Sequence, residues 1–503
     1  MPRLRRSDWY DIARDMNWTL KYVTHDEAFP PALVGPMGDT SPTTWWSWDE
    51  PYKLSYREYV YNQVDKDAGV AAVGAAIARS HLFDQLDEGW KGAIKAHFGA
   101  VTVSEGQSTL AESRMGRFGL AAAWRNMALF GALDEMRHVQ IQLRVAHSLL
   151  DKDQQFDWAH KAYHTGNWAI IAAQSHNDEL FMARDVISTA IQLTFTFETG
   201  FTNLQFIGMA ADAMEMGDVE FGALISSIQT DEARHAQQGE PTLKLLLETG
   251  QKELAQNLID VSFWRAWHLF ATLTGPSMDY WTPLEHRTMS FKEFMEEWII
   301  RQFMDQLEDI GLEKPWYWEQ FLDELDWYHH SEHAGIWYFR NTVWWHPDAG
   351  VSDAEREWLE GKYPGWEKKF GKLWDTIGEN VRADKVDASF GKTLPILCNT
   401  CHLPVFKIPG TTSHCDPRQS VHGDRRYSFC SEPCQWIFDQ NLERYAGTKT
   451  LIDRLIMGDI QPPTIEGILE YMGITPDIAG DDAARYRWAT DREPALPTGA
   501  IAA

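Results

Sequence analysis

Between Tyr56 and Met304 the apolar positions recur at the three-to-four-residue spacing of helices, with few Pro or Gly interruptions. The spacing is clearest in YREYVYNQVDKDAGVAAVGAAIARSHLF, RDVISTAIQLTFTFETGFTNLQFIGMAADAM and FGALISSIQTDEARHAQQGEPTLKLLLETG. Several of these segments are apolar nearly all round, which predicts helices in the middle of a large bundle. Residues 1–55 are irregular and rich in Pro and Trp, so the helical core is placed at 56–310. From about Lys314 the chain breaks at Pro315, Pro347, Pro364 and Pro395, predicting a peripheral helical region at 311–394. A small module follows at 395–503, with short β-like stretches PVFKIP and RRYSFC and a frayed tail, REPALPTGAIAA. No solenoid repeat or low-complexity stretch interrupts this order.

The polar exceptions inside those helices carry the chemistry. From Ile187 to Ala211 the only charged residue is Glu198. A lone carboxylate on a buried helix is costly unless it is paired or metal-bound. A long internal echo frames it: Glu105 then Asp134-Glu135-x-x-His138, and Glu198 then Asp231-Glu232-x-x-His235. Residues i and i+3 share a helix face about 5 to 6 Å apart, so each Glu-x-x-His presents an oxygen and a nitrogen ligand together. With one further Glu from each of two other helices this is the donor set of ferritin-like di-iron proteins. Oxygen donors with some nitrogen favour iron or manganese over zinc. Spacing alone leaves Glu112, two turns along the same face, as an alternative to Glu105; the repeat favours Glu105. Asp134 and Asp231 fit the carboxylates that orient metal-bound imidazoles, or else acids pairing with Arg137 and Arg234.

Charge and cysteine usage narrow the class. A formal charge of -27 and the lack of a basic stripe exclude a nucleic acid partner. No run approaches the roughly 18 apolar residues of a membrane helix and MPRLRRSDWYDIARDM is no secretory signal, so a cytoplasmic protein is expected. The 24 Trp, clustered at Trp45, Trp46 and Trp48 and at Trp344 and Trp345, point to aromatic packing rather than chemistry. All five cysteines lie late. Cys398-x-x-Cys401 and Cys430-x-x-x-Cys434 form two knuckle-like pairs that predict a structural zinc, with His414 and Cys415 spare between them. The fold class is therefore mostly α: a ferritin-like di-iron helical bundle with a small C-terminal zinc-knuckle module.

On these residues and on FTFETGFTNLQF, SSIQTDEARHAQQG, FWRAWHLFATLTGPSMDYWTPL, SFKEFMEEWII, KPWYW and LIDRLIMGDIQPPTIEGILEYMG, the chain resembles the large hydroxylase subunit of bacterial soluble di-iron monooxygenases. The likeness is to the toluene, alkene and phenol monooxygenase family, over nearly the whole length. It implies Glu105, Glu135, His138, Glu198, Glu232 and His235 as ligands of two Fe ions. It gives Thr202 a role beside the oxygen-binding side, and Asn203 and Gln229 a place in a pore to the surface. It implies a substrate pocket at Val101, Ser104, Ser108, His176, Asn177, Phe197 and Phe206. Ser104 and Ser108 stand where toluene enzymes have smaller apolar or Gly positions, and His176 and Asn177 where they carry Phe. That run of polar replacements predicts a substrate with a polar handle. The zinc knuckle resembles the phenol branch.

The implied activity is O2- and NADH-dependent insertion of one oxygen atom into a small aromatic, heteroaromatic or alkene substrate. The implied partners are beta and gamma hydroxylase subunits in an alpha2beta2gamma2 assembly, an effector protein, a ferredoxin and an NADH reductase. Two rivals share the fold. A radical-generating reductase subunit would place a Tyr where Gln142 stands, and ferritin-like iron stores are smaller, self-assembling chains.

Overall fold

The computed structural model describes residues 24–31, 43–153, 156, 168–339, 351–383, 385, 396–407, 416–450 and 453. His414, Cys415, Trp344, Trp345 and the tail lie outside them, as does the side chain of Asn203.

The first long helix, α1 (Tyr56–Ile77), starts at a capping box in which Ser55 accepts from the Glu58 N–H and Glu58 closes back on Ser55. It is followed by α2 (Glu88–Phe118), capped by Asp87, α3 (Ala122–Ser148) and α4 (Trp168–Leu180). Helix α5 begins at Val186–Thr189, widens to π-helix at Ala190–Phe201 and returns to α-helix at Thr202–Glu215. Then come α6 (Val219–His235), α7 (Gly239–Glu248) and α8 (Lys252–Pro276). The pairs α2–α3 and α5–α6 pack as the central bundle, α1 lies on α6, and α8 lies against α5 and α4. The all-round apolar pattern of α5 is explained by this placement: Ile187, Ile191, Leu193, Phe201 and Leu204 are fully buried.

One close approach depends on a missing side chain. At Gly131, in the middle of α3, a Cβ would lie 2.7 Å from the carboxyl carbon of Glu112, so glycine lets α2 and α3 close around that buried acid.

In the C-terminal part, β1 (Arg418–His422) pairs antiparallel with β2 (Arg425–Phe429). Gly423, at φ 60°, opens the two-residue turn between them, a position glycine takes without strain. Helix α9 (Glu432–Gln440) follows, capped by Ser431. RRYSFC thus forms the strand its pattern predicts. Of PVFKIP, Pro404 bridges to Leu397 and the Val405 N–H donates to Ile396. Among the described residues no helix is long and apolar enough to cross a membrane.

Candidate active site

Helices α2, α3, α5 and α6 bring six predicted donors to one buried place. Glu105, Glu135, His138 and Glu232 offer ligand atoms within 4.8 Å of one another, and so do Glu135, Glu198, Glu232 and His235. The two groups share Glu135 and Glu232. The geometry therefore offers two adjacent donor groups, each with its own Glu and its own His, joined by two common carboxylates. Glu112 belongs to neither group: its Oε1 accepts from Gln238 Nε2 at 2.7 Å, and its carboxyl rests on Gly131. Of the two acids that share a face of α2, it is Glu105 that joins the donor cluster.

His138 Nδ1 faces this cluster, 3.2 Å from Glu232 and 3.4 Å from Glu105, while its Nε2 meets Asp231 at 3.3 Å. The carboxylate orienting His138 thus comes from the opposite half of the repeat. Asp231 also accepts from Arg137 at 2.8 Å and from Gln63 at 2.8 Å, so this carboxylate meets both an imidazole and an arginine. Asp134 is bound by Arg234 and, at 2.7 Å, by Gln63. Gln63 on α1 ties the two aspartates to each other, a link no local spacing discloses.

The donors fit cations. Glu135, Glu198 and Glu232 are at most 5% exposed, and among the described residues Glu135 Oε2, Glu198 Oε1 and His235 Nε2 have no hydrogen-bond partner. Burial pushes the Glu135 and Glu198 carboxyls well above the ordinary range, Glu105 adding repulsion to both, and pushes Glu232 up to about 7. Four carboxylates crowded out of water resist ionising together. Two divalent cations would remove that conflict and fill the unpartnered atoms.

A pH dependence follows for the metal-free chain. The Glu232 value is raised from 4.5 to about 7, so the metal-free fold binds the extra proton and loses stability as pH rises through that window. Metal binding needs the ionised carboxylate and releases the proton. Apparent Fe(II) affinity should therefore climb between about pH 6 and pH 8, with proton uptake by the buffer measured calorimetrically. A flat affinity profile across that range would contradict it.

Beside the cluster lies a cavity of about 50 Å³. Of the predicted pocket residues Val101, Ser104, Ser108, Phe197 and Phe206 line it, as does Thr202. His176 and Asn177 do not. Asn177 donates to Ser104 Oγ at 2.6 Å and its Oδ1 meets His176 Nδ1 at 2.8 Å, while Ser104 donates to the Ala100 carbonyl at 2.6 Å. Asn177 and His176 thus bond to each other and to Ser104 outside the lining, while Ser104 and Ser108 remain in it. Thr202 Oγ1 donates to the Glu198 carbonyl at 2.6 Å while remaining in the lining. Gln229 is half-buried on α6.

Sequence reading missed Gln205, Leu269, Phe270 and Leu273, all in the lining. The three from α8 look like ordinary core positions, and no pattern separates them from it. Gln205 stands out only as an amide on an apolar helix. Its amide is spoken for: Nε2 meets His97 Nδ1 at 2.9 Å and Oε1 accepts from Thr274 at 2.5 Å. Burial holds His97 down at about 4, so the ring is neutral and accepts there. Gln142 donates to Glu105 at 3.2 Å, the position where a radical enzyme would carry Tyr.

A second donor group lies between the C-terminal hairpin and α8. Cys401, Cys430 and Cys434 gather with His268, all four ligand atoms within 4.8 Å of one another. Cys430 Sγ is 3.7 Å from Cys401 Sγ and 3.5 Å from Cys434 Sγ. Cys398 is buried beside them, its sulfur accepting from the Thr400 N–H at 3.4 Å. None of the four forms a disulfide. The knuckle turn brings His402 to φ 63°, with its N–H donating to the Cys398 carbonyl at 3.0 Å. Burial pushes the Cys401 and Cys430 thiols up, whereas neighbouring thiols and His268 draw Cys434 down. A thiol-rich, closed, buried donor set suits structural zinc. His268, from a helix far off in sequence, had no spacing to announce it.

Known proteins share this arrangement. Residues 18–250 match the model of the methane, phenol and alkene hydroxylases. The chain is 47% identical to the alpha subunit of the oxygenase component of the alkene monooxygenase system of Xanthobacter autotrophicus (strain Py2), over 98% of each chain. It is 29% identical to the oxygenase component of phenol 2-monooxygenase from Pseudomonas sp. strain CF600, over 93% of this chain and 90% of that one. A solved phenol hydroxylase from Pseudomonas sp. OX1 superposes with a TM-score of 0.81 at 25% identity, covering 97% of this chain and 100% of the other. Likeness of this depth over the full length means that the chain belongs to the methane, phenol and alkene hydroxylase family, as the large subunit of a multicomponent di-iron monooxygenase.

Proposed function

We propose that the chain oxidises a small alkene, with one iron held by Glu105 and His138, a second by Glu198 and His235, and Glu135 and Glu232 shared between them. The observation that carries the reading is the pair of donor groups with two carboxylates in common, set against an apolar cavity. Bound iron supplies O2 activation and electron storage. The chain supplies the rest. Asp231 keeps the His138 ring turned toward the metal positions, and the Thr202 hydroxyl, which donates to the Glu198 main-chain carbonyl, lines the cavity beside the Glu198 side chain, where it can hand on a proton once it turns from that carbonyl. Phe197, Phe206 and Phe270 exclude water from the cavity, which protects the oxidant from side reactions. Asn203 and Gln229 are assigned to a path between this site and the surface.

Size favours an alkene over a ring. A cavity known to hold benzene measures roughly 150 Å³, and this one is about 50 Å³. The 47% identical relative is named for alkenes. In a competition panel, ethene- or propene-sized alkenes should show specificity constants at least about tenfold above toluene, phenol and pyridine. Asn177→Leu should leave that ranking unchanged, since the amide faces Ser104 and His176 and not the cavity. Highest specificity for a ring or an oxygenated compound would refute the alkene reading.

The electrons are assigned to NADH, delivered by a separate reductase and ferredoxin, and the active assembly to alpha2beta2gamma2 with an effector protein. A zinc ion is assigned to Cys398, Cys401, Cys430 and Cys434. Purified assembly should contain two irons and one zinc per large subunit and should couple NADH oxidation to epoxide formation only when all partners are present. Rapid NADH-driven turnover by this chain alone, or an iron-free active preparation, would overturn the assignment.

A further inference from the structure

We propose that His268 is a positioning residue that makes the shape of the substrate cavity depend on occupancy of the cysteine site. The inference rests on the zinc assignment above and extends it from stability to specificity.

His268 sits on α8 with its ring between two acceptors. Nδ1 is 3.8 Å from Cys430 Sγ, and Nε2 is 3.1 Å from Glu324 Oε2. The same Glu324 oxygen accepts from the indole of Trp267 at 3.0 Å. His268, Trp267 and Glu324 are all buried, so no water competes for these bonds. Groups that bond to a metal-binding side chain orient it and tune it, and the constraint acts in both directions.

The opposite face of α8 is the cavity wall. Leu269, Phe270 and Leu273 line the space beside the iron donors. At 3.6 residues per turn Phe270 lies roughly 200° around the helix from His268. A rotation of α8 that lets His268 leave Cys430 therefore moves Phe270 in the cavity. A second tie runs through the same helix: Arg265 pairs with Glu179 and donates to Ser175 at 3.1 Å, both on α4. That helix gives Ala173 to the cavity and Asn177 to Ser104. Two cavity walls are thus tied to the one helix whose His268 meets Cys430. A knuckle needed only for stability would not require its contact helix to bear the wall of the pocket.

The test uses the assembled enzyme with its partner proteins and a prochiral small alkene, read by three measurements: zinc release to a chromogenic chelator, iron content, and the ratio of the two epoxide enantiomers. The ratio is blind to the fraction of active enzyme, so general destabilisation does not move it. His268→Gln places an amide donor where Nε2 was and removes the imidazole contact to Cys430. His268→Asn places one where Nδ1 was and keeps Cys430 bonded. His268→Gln should release zinc about tenfold faster, retain two irons and shift the enantiomer ratio, while His268→Asn stays near the parent in both respects. Partial zinc removal from the unaltered enzyme, with iron retained, should shift the ratio in the same direction as His268→Gln. That measurement stands even if the variant does not fold. An unchanged ratio after zinc removal overturns the proposal while leaving the zinc assignment intact. So does a nitrogen ligand in the zinc X-ray absorption spectrum, which would make His268 a ligand instead. Absence of zinc from the unaltered enzyme would remove the zinc assignment and this inference together.

Discussion

Glu198→Ala should yield a folded chain that loses iron and turnover together, activity falling by about 100-fold or more. In the proposed site Glu198 is the one donor of the second group that comes from α5, and its Oε2 lies 3.2 Å from His235 Nδ1. Alanine leaves that group with its imidazole and the two shared carboxylates only. The metal-free proteins should respond in the opposite sense. Without a cation Glu198 is a buried acid that burial and the Glu105 charge force toward neutrality, a cost the alanine variant escapes. Metal-free Glu198→Ala should therefore melt at or above metal-free parent, while the gain in melting temperature on adding iron shrinks. This pairing separates a metal ligand from a structural carboxylate. A structural role would lower the melting temperature with or without iron. Full iron content with normal turnover in the variant would rule out the ligand assignment.

What the sequence discloses and what it withholds divide along a physical line. Glu135 with His138 and Glu232 with His235 are legible because a ligand pair on one helix leaves an i, i+3 signature. Glu198 is legible because a buried apolar helix tolerates a lone charge only where a cation or a partner meets it. Glu105 and Glu112 share a face of α2, so periodicity cannot rank them. The difference arises across the helix pair, where Gly131 makes room for Glu112 and Gln238 occupies it. Gln63, Gln205 and His268 each meet a partner more than seventy residues away, respectively Asp134, His97 and Cys430. No local pattern carries such pairings. The polar residues Ser104, His176 and Asn177 show the converse hazard. Their types are legible, but whether they point at a ligand or at each other is decided by packing.

Cys430→Ser tests whether the second donor group is a separate metal site. Cys430 lies between Cys401 and Cys434 and is also the sulfur that meets His268, so its loss opens the group at its middle. Serine is nearly the same size, but its hydroxyl does not ionise as a thiol does and is a poor zinc ligand. Structural zinc in small isolated modules contributes about 10–16 kcal/mol of apparent binding energy to folding. Here Leu397, Leu403, Phe429 and Phe438 also bury apolar surface in the large core, so the segment keeps support without the ion. The expected result is loss of zinc, a melting temperature lower by about 5 °C or more, and early proteolytic cleavage between 396 and 446. Iron should stay, because its donors stand on α2, α3, α5 and α6 and none of them bonds to a cysteine. Elemental analysis of protein prepared without chelators decides the matter. Loss of iron before zinc would show that the two sites are not independent, and a full zinc complement in the variant would show that Cys430 is not a ligand.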